Sequence, residues 1–188
     1  MRGPAKVIRM PTPRVVRRRR AIKLGMGLLA LGLLGSIAAR IYLARTETDA
    51  SERRSGMSAP ETEIVRLINA VRAKSGRGVL KTSARLAVAA RAHSFDMAIR
   101  NYLAHKSPEG SGPAQRLRAL RIDYEVVGEN IYADSDYLSP GVAERAVRAW
   151  LDSPSHRANM LSDRFTETGV GVAHTADGRT YITQDFIH

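Results

Sequence analysis

The sequence predicts an α+β domain, with helices packed against an antiparallel sheet, from three observations. Apolar residues recur at helical spacing in several capped segments between residues 58 and 161. Two segments near the carboxyl terminus alternate as strands do, and the dipeptide Asp177-Gly178 between them is favoured in two-residue hairpin loops. The 131 residues from 58 to 188 are enough to bury about two-thirds of the unfolded surface in one core.

Two longer helices come first. Ser58 and Glu61 form a capping box, after which apolar residues recur at helical spacing until Gly76. A second helix begins after a cap at Thr82 or Ser83. Its predicted buried stripe consists of Leu86, Ala90, His93 and Met97. We expect His93 to be a core histidine whose polar atoms are satisfied.

Three shorter helices are predicted from proline at their first position. They begin at Pro113, at Ser139-Pro140 and at Ser153-Pro154. Before the first of them, Ser107-Pro108-Glu109-Gly110 has the residue order of a type I turn. Trp150 lies on the apolar stripe of the middle helix and is expected in the core.

Three strands complete the predicted domain. Residues 124–133 form the first, and residues 168–174 and 179–187 form the terminal hairpin. A two-residue loop pairs Ala176 with Arg179 and thereby places His174 opposite Tyr181.

The positive charge of the chain is concentrated at its amino terminus. Nine of the 30 Lys and Arg residues lie in residues 1–23, which contain no acidic residue. The other 165 positions carry 21 basic and 18 acidic residues, so the folded part lacks the positive surplus of a phosphate-binding groove. We therefore expect no nucleic-acid partner.

The absence of cysteine excludes a disulfide scaffold, a thiolate zinc site and a cysteine nucleophile.

An uncharged apolar segment follows the basic residues and predicts attachment to a membrane. Residues 24–39 carry no charge, and the stems of Lys23 and Arg40 can extend the stretch across a hydrocarbon core of ~30 Å. Since the basic tail stays in the cytoplasm, the carboxyl-terminal domain would lie outside it. Cleavage after the small residues of Ser36-Ile37-Ala38, which would secrete the domain, is the alternative. The predicted divisions are a cytoplasmic tail (1–23), a single transmembrane signal-anchor (24–44), a linker (45–57) and the folded domain (58–188).

Four polar motifs lie beside turns or element ends. They are Ala104-His105-Lys106-Ser107-Pro108-Glu109-Gly110, Gly128-Glu129-Asn130-Ile131, Trp150-Leu151-Asp152-Ser153-Pro154-Ser155-His156-Arg157-Ala158-Asn159-Met160-Leu161 and Tyr181-Ile182-Thr183-Gln184-Asp185-Phe186. In this order they resemble the CAP superfamily (cysteine-rich secretory proteins, antigen 5, pathogenesis-related 1), particularly its cysteine-free bacterial branch. The resemblance covers residues 63–186. It implies an α-β-α sandwich with a cleft that holds two histidines and two acidic residues.

The resemblance also assigns residues to this cleft. His105 matches the family's first histidine and Glu129 its first glutamate. Ser153 stands where the family has its second glutamate, and Tyr181 stands where many eukaryotic members have the second histidine. His156 matches the histidine of the bacterial Ser-Pro-x-His-Arg-Ala-Asn signature. The expected ligand-binding residues are therefore His105, Glu129, His156 and Tyr181.

The chemistry of these residue types leaves several roles open. A carboxylate beside an imidazole orients the ring, so His105 with Glu129 could act as a general base. With His156 they also form an acceptable ligand set for a divalent metal such as zinc, although the sequence indicates no certain cofactor. The structural alternatives are an ordinary turn residue for His105, a backbone-amide or arginine partner for Glu129, a helix-terminus contact for His156 and sheet packing for Tyr181. Three arginines, at 116, 118 and 121, are expected on a solvated helix face.

Two functions fit this pattern. The first is a membrane-tethered, extracytoplasmic CAP domain that binds an apolar ligand, a cell-envelope component or a protein without turnover. The second is a cell-envelope hydrolase or peptidase that uses His105, Glu129 and His156, with or without a divalent metal. Because the family's metal tetrad is incomplete here, the sequence favours binding, and no catalytic residue is assigned.

Overall fold

The computed structural model of the chain describes residues 56–135 and 141–188. The predicted tail, the predicted transmembrane segment and most of the predicted linker lie outside the described residues, as does Ser139-Pro140. No helix within the two described ranges is long and apolar enough to cross a membrane.

Five helices and four strands make up the described part, which is an α+β fold. The helices are α1 (Ala59–Lys74), α2 (Ala84–Arg100), α3 (Pro113–Ala119), α4 (Val142–Asp152) and α5 (Pro154–Leu161). The strands are β1 (Lys81–Thr82), β2 (Val127–Asp134), β3 (Glu167–His174) and β4 (Thr180–Ile187).

The helix starts follow the capping signals at most positions. The backbone N–H of Ser58 donates to Glu61 Oε2 (2.7 Å), as the capping box predicts. Ser83 and Ser153 are the N-caps of α2 and α5. The start of α4 differs from the prediction at Ser139-Pro140, because Gly141 is the N-cap and the helix begins at the next residue. Gly141 has φ +88°, a conformation that glycine adopts without steric cost.

The sheet has the strand order β1-β3-β4-β2 and is mixed. Strand β4 pairs antiparallel with both β2 and β3, whereas β1 pairs parallel with β3. The prediction of a purely antiparallel sheet is therefore wrong at one edge. Lys81 and Thr82 are too few to show the alternation that marks a strand in a sequence, and their partner strand lies far along the chain.

The register of the terminal hairpin also differs from the prediction. His174 pairs with Thr180, and Tyr181 pairs with Ala173. The loop has three residues rather than two, because the N–H of Thr175 donates to the carbonyl of Arg179 (2.9 Å). Gly178 takes the left-handed position at φ +93°, which is the geometry of a three-residue hairpin loop.

Helices cover both faces of the sheet. On one face, α1, α4 and α5 enclose the main apolar cluster, in which Trp150 is 1% exposed and donates from Nε1 to the carbonyl of Ile131 (2.9 Å). On the other face α2 lies close to β3, since a Cβ on Gly171 would be only 2.0 Å from the backbone nitrogen of Arg91. Glu61 joins the layers by accepting hydrogen bonds from Arg91 Nε (2.8 Å) and from the N–H of Val172 (3.0 Å).

Candidate functional site

Hydrogen bonds to backbone carbonyls position His105 in the loop that follows α2. His93 Nε2 donates to the carbonyl of Ala104 (3.0 Å), and Arg116 Nη1 donates to the carbonyl of His105 (3.0 Å). Burial, and then the positive charge of Arg116, lower the pKa of His93. His93 is thus a satisfied core histidine, as predicted, and it fixes the residue that precedes the site.

The side chain of His105 meets Glu129 on β2. His105 Nδ1 donates to Glu129 Oε1 at 2.8 Å. The imidazole is 50% exposed, while the glutamate side chain is 2% exposed. The pair therefore joins a solvent-facing ring to a buried carboxylate, and the second ring nitrogen of His105 makes no hydrogen bond to the described residues.

Arg116 is the second partner of this carboxylate. Its Nη2 donates to Glu129 Oε2, and its side chain is only 14% exposed. The expectation of a solvated face is therefore wrong for Arg116, because α3 lies against β2 and directs this residue inward. The ion pair compensates the cost of burying the carboxylate charge.

Two asparagines fasten α5 to β2 and so position His156. Asn130 Nδ2 donates to the carbonyl of His156 (3.2 Å), and Asn159 Nδ2 donates to the carbonyl of Glu129 (3.1 Å) and to Asn130 Oδ1 (3.0 Å). The rings of His105 and His156 consequently lie 6.4 Å apart between centroids. Both asparagines lie in the polar motifs of the sequence, but residue type alone does not indicate this structural role.

Burial lowers the pKa of His156, and the nearby His105 lowers it further. The neutral form of His156 is therefore favoured near neutral pH. Its ring can supply a hydrogen bond to a ligand without adding a fixed charge.

Asp185 is a site residue that sequence reasoning missed. It lies directly opposite Glu129 in the pairing of β2 with β4 and is fully buried. Neither carboxyl oxygen accepts a hydrogen bond in the described part of the chain. Burial raises the pKa of Asp185 well above its usual value, and the neighbouring Glu129 raises it further. A carboxylate residue inside a predicted strand was the available signal, as it was for Glu129.

Tyr181 lies apart from this cluster. It pairs with Ala133 four residues along β4 from Asp185, which is roughly 13 Å at the rise of a strand. Its ring is buried, and its hydroxyl donates to Asn101 Oδ1 (3.2 Å). It lines a pocket of about 410 Å³ together with Asn101, Tyr102, Leu103, Ala133, Asp134, Ser135 and Arg179. The structure thus brings together His105, Glu129 and His156, and places Tyr181 in a pocket that these three residues do not line.

The cluster does not fit a divalent metal. Among residues 56–135 and 141–188, no three His, Asp or Glu side chains are arranged to hold a metal ion. His105 Nδ1 and both oxygens of Glu129 are already in hydrogen bonds, and the guanidinium of Arg116 occupies the position where a cation would neutralise the carboxylate. We therefore derive no chemistry through a metal.

The order of the motifs and the fold agree with a known family. The model of the cysteine-rich secretory protein family, CAP, matches residues 65–186. This chain belongs to the CAP family. The resemblance noted in its motifs is thereby confirmed.

Two curated relatives of this CAP chain come from Bacillus subtilis (strain 168). The chain is 37% identical over 133 residues to the uncharacterized protein YkwD. The aligned region covers 71% of the chain and 49% of the relative. It is 35% identical over 130 residues to the uncharacterized membrane protein YlbC, which covers 68% of the chain and 34% of the relative. The CAP chain thus spans half or less of the length of these relatives.

Solved structures show the same fold. An extracellular protein from Bacillus anthracis str. Ames that contains an SCP domain is 35% identical, with a TM-score of 0.59 over 69% of this chain and 40% of that one. An outer surface protein from Borrelia burgdorferi is 20% identical, with a TM-score of 0.61 over 68% of this chain and 91% of that one. The second likeness concerns the fold alone.

Proposed function

We propose that this CAP protein is attached to a membrane, exposes its domain outside the cytoplasm, and binds a polar component of the cell envelope at His105, Glu129 and His156. The observation that carries the proposal is the hydrogen bond from the half-exposed imidazole of His105 to the buried carboxylate of Glu129. This bond holds Nδ1 inward and directs Nε2 to a ligand in solvent.

The surroundings of the pair favour a polar ligand. The groups that meet here are two imidazoles, a carboxylate and a guanidinium, with Glu129 and Arg116 neutralising each other. Hydrogen bonds rather than apolar contacts would therefore hold the ligand. Of the ligand classes that the sequence suggests, a cell-envelope component fits this surface better than an apolar molecule.

Binding without turnover fits the site better than hydrolysis. A carboxylate-oriented imidazole is the arrangement of a general base, which keeps a hydrolase or peptidase as the second candidate. However, no serine or threonine hydroxyl in the described residues hydrogen-bonds to His105, so the described site lacks a protein nucleophile that the ring would activate.

The test uses the full chain in detergent with purified cell-wall sacculi as the probe. We expect His105→Ala to weaken cosedimentation about tenfold, the effect of losing one or two ligand hydrogen bonds. His174→Ala removes an exposed histidine at the far end of β3 and is the matched control, for which binding should not change. Equal binding by both variants would exclude the site. If the wild type instead releases soluble wall fragments with a defined pH optimum, and His105→Ala abolishes this release, the result would favour the hydrolase.

Membrane attachment is supported by the uncharged segment at residues 24–39 and by the likeness to a curated membrane protein. A reporter enzyme fused after His188 should be active outside the cytoplasm, and the mature protein should keep its first arginines in the membrane fraction. A mature amino terminus near Ala39 would show that the segment is a cleaved signal and that the domain is released.

A further inference from the structure

Helix α2 has two apolar faces. The predicted stripe of Leu86, Ala90, His93 and Met97 is buried against the sheet. A second set of apolar residues faces solvent, and we call it the outer strip: Ala84, Val88, Ala92, Phe95 and Ile99. At 100° per residue the outer strip falls within an arc of about 80°. Val88, Phe95 and Ile99 are 50%, 57% and 63% exposed.

An outer strip of this kind is unusual for a surface helix. The outward face of such a helix is normally polar, and contiguous exposed apolar residues indicate a surface that contacts something else. The outer strip is a straight row along one helix rather than a groove, so it suits a flat apolar surface better than an inserted peptide.

The chain enters the domain at one end of the outer strip. The carbonyl of Gly56 accepts a hydrogen bond from Arg91 Nη2 (2.8 Å), and a side chain at Gly56 would touch Ala84 at 3.9 Å. Gly56 therefore lies beside the first turn of α2.

The predicted anchor is separated from this entry point by a short stretch of sequence. If the membrane segment ends at residue 44, eleven residues, 45–55, separate it from Gly56, and they span at most about 40 Å when fully extended. Helix α2, with 17 residues, is about 25 Å long. The tether thus keeps the whole outer strip within reach of the bilayer, where a weak apolar contact suffices because the effective concentration is high.

We propose that the outer strip of α2 lies on the lipid surface of the membrane that anchors the chain; this inference rests on the proposed membrane attachment. Arg85 and Arg91 flank the strip on its two sides. Among the described residues, Arg85 Nη2 donates to the carbonyls of Leu120 and Arg121 (both 2.7 Å) and forms no ion pair, so its positive charge is available to lipid phosphates. Arg91 is paired with Glu61, so the unpaired basic charge lies on the Arg85 side of the strip. An apolar row with a basic border is the pattern of a helix that lies in the membrane interface.

The absence of cysteine allows a direct test on the full chain. Single variants Phe95→Cys and Ile99→Cys carry a fluorescent label, and Val79→Cys, at a position 66% exposed and outside α2, is the matched control. The labelled chains are reconstituted in phosphatidylcholine and phosphatidylglycerol vesicles that contain an acyl-chain quencher. We expect at least threefold stronger quenching at residues 95 and 99 than at residue 79. Val88→Glu should reduce quenching of the label at residue 99.

Two results would overturn the inference. Equal quenching at residues 79 and 99, in chains that float with the vesicles, would show that the outer strip does not touch lipid although the anchor holds. A second copy of the chain could also cover the strip. In that case labels at residue 99 of two chains would transfer energy to each other, an excess of unlabelled chain would abolish this transfer, and lipid quenching would be absent. Failure of the chain to float reports separately on the anchor and would remove the basis of the inference.

Discussion

At the scale of single residues, the site pairs two carboxyl groups with one guanidinium. Glu129 has both oxygens in hydrogen bonds, whereas Asp185 faces it across the strand pair and neither of its oxygens accepts a hydrogen bond in the described structure. Two charged carboxylates would repel each other in a buried setting. Arg116 donates its hydrogen bond to Glu129, and its charge lowers the pKa of Asp185 by less than burial and Glu129 raise it. The protonated form of Asp185 is therefore favoured, and Glu129 is the carboxyl group that pairs with Arg116 and orients His105.

This arrangement predicts that Asp185→Asn changes the pH dependence of stability. The raised pKa of Asp185 means that the folded protein holds a proton that the unfolded chain releases near about pH 4. The free energy of unfolding of the wild type therefore falls as pH rises above that value, by at most about 1.4 kcal/mol per pH unit, until the folded-state pKa is passed. Asparagine has no proton to release, so the variant should match the wild type near pH 4 and exceed it at pH 7.

Urea unfolding at half-unit steps between pH 4 and 8 measures this difference. Asp123→Asn, at an exposed position, is the control and should follow the wild type throughout. Parallel curves for Asp185→Asn and the wild type would show that Asp185 is charged in the folded protein.

At the scale of elements, the contact of α2 with β3 depends on residues without side chains. Gly169 and Gly171 face α2, and a Cβ on either would lie less than 2.5 Å from helix backbone atoms. Backbone atoms cannot move aside as the end of a flexible side chain can, so the helix itself would have to shift. The same helix carries Glu61's partner Arg91 and leads into the His105 loop.

We therefore expect Gly171→Ala to destabilise the domain by about 3 kcal/mol, the upper part of the usual range for overpacking. Thermal or urea unfolding measures the change. Gly78→Ala is the matched control, because nothing lies within 4 Å of its added Cβ and its φ is not in the left-handed region. A loss below about 0.5 kcal/mol for Gly171→Ala would show that α2 is not held this close to β3.

At the scale of the whole molecule, the folded part includes a residue that the sequence assigned to the linker. Met57 is 3% exposed and belongs to the main apolar cluster with Ile64 and Trp150. The preceding carbonyl, of Gly56, is held by Arg91. The domain therefore begins at least one residue before the predicted boundary at Ser58.

A fragment of residues 56–188 should fold cooperatively by itself. A fragment of residues 58–188 lacks Met57, and its free energy of unfolding should be lower by about 2 kcal/mol, which is typical for the loss of a buried methionine side chain. Urea unfolding with near-ultraviolet dichroism compares the two. Met57→Leu in the longer fragment, which conserves volume, should lose much less. Equal stability of both fragments would mean that Met57 adds nothing to the core.

The sequence by itself determined the features that depend on neighbouring residues. The capping box at Ser58, the N-caps at Ser83 and Ser153 and the buried stripe of α2 appear as predicted, because their signals lie within a few positions along the chain. The four motifs, through family resemblance, also indicated the His105 and Glu129 pair.

Only the tertiary structure decided which distant groups meet. Strand β1 exists because β3 lies beside it, and the hairpin register follows from a backbone bond at Thr175 that leaves a three-residue loop. In the sequence, Arg116 is one of three arginines expected on a solvated helix face, and Asp185 is one residue of a polar motif. The packing of α3 and β4 places both residues beside Glu129. Burial and charge compensation are properties of the assembled chain, since a residue's partners come from segments that its own neighbours do not specify.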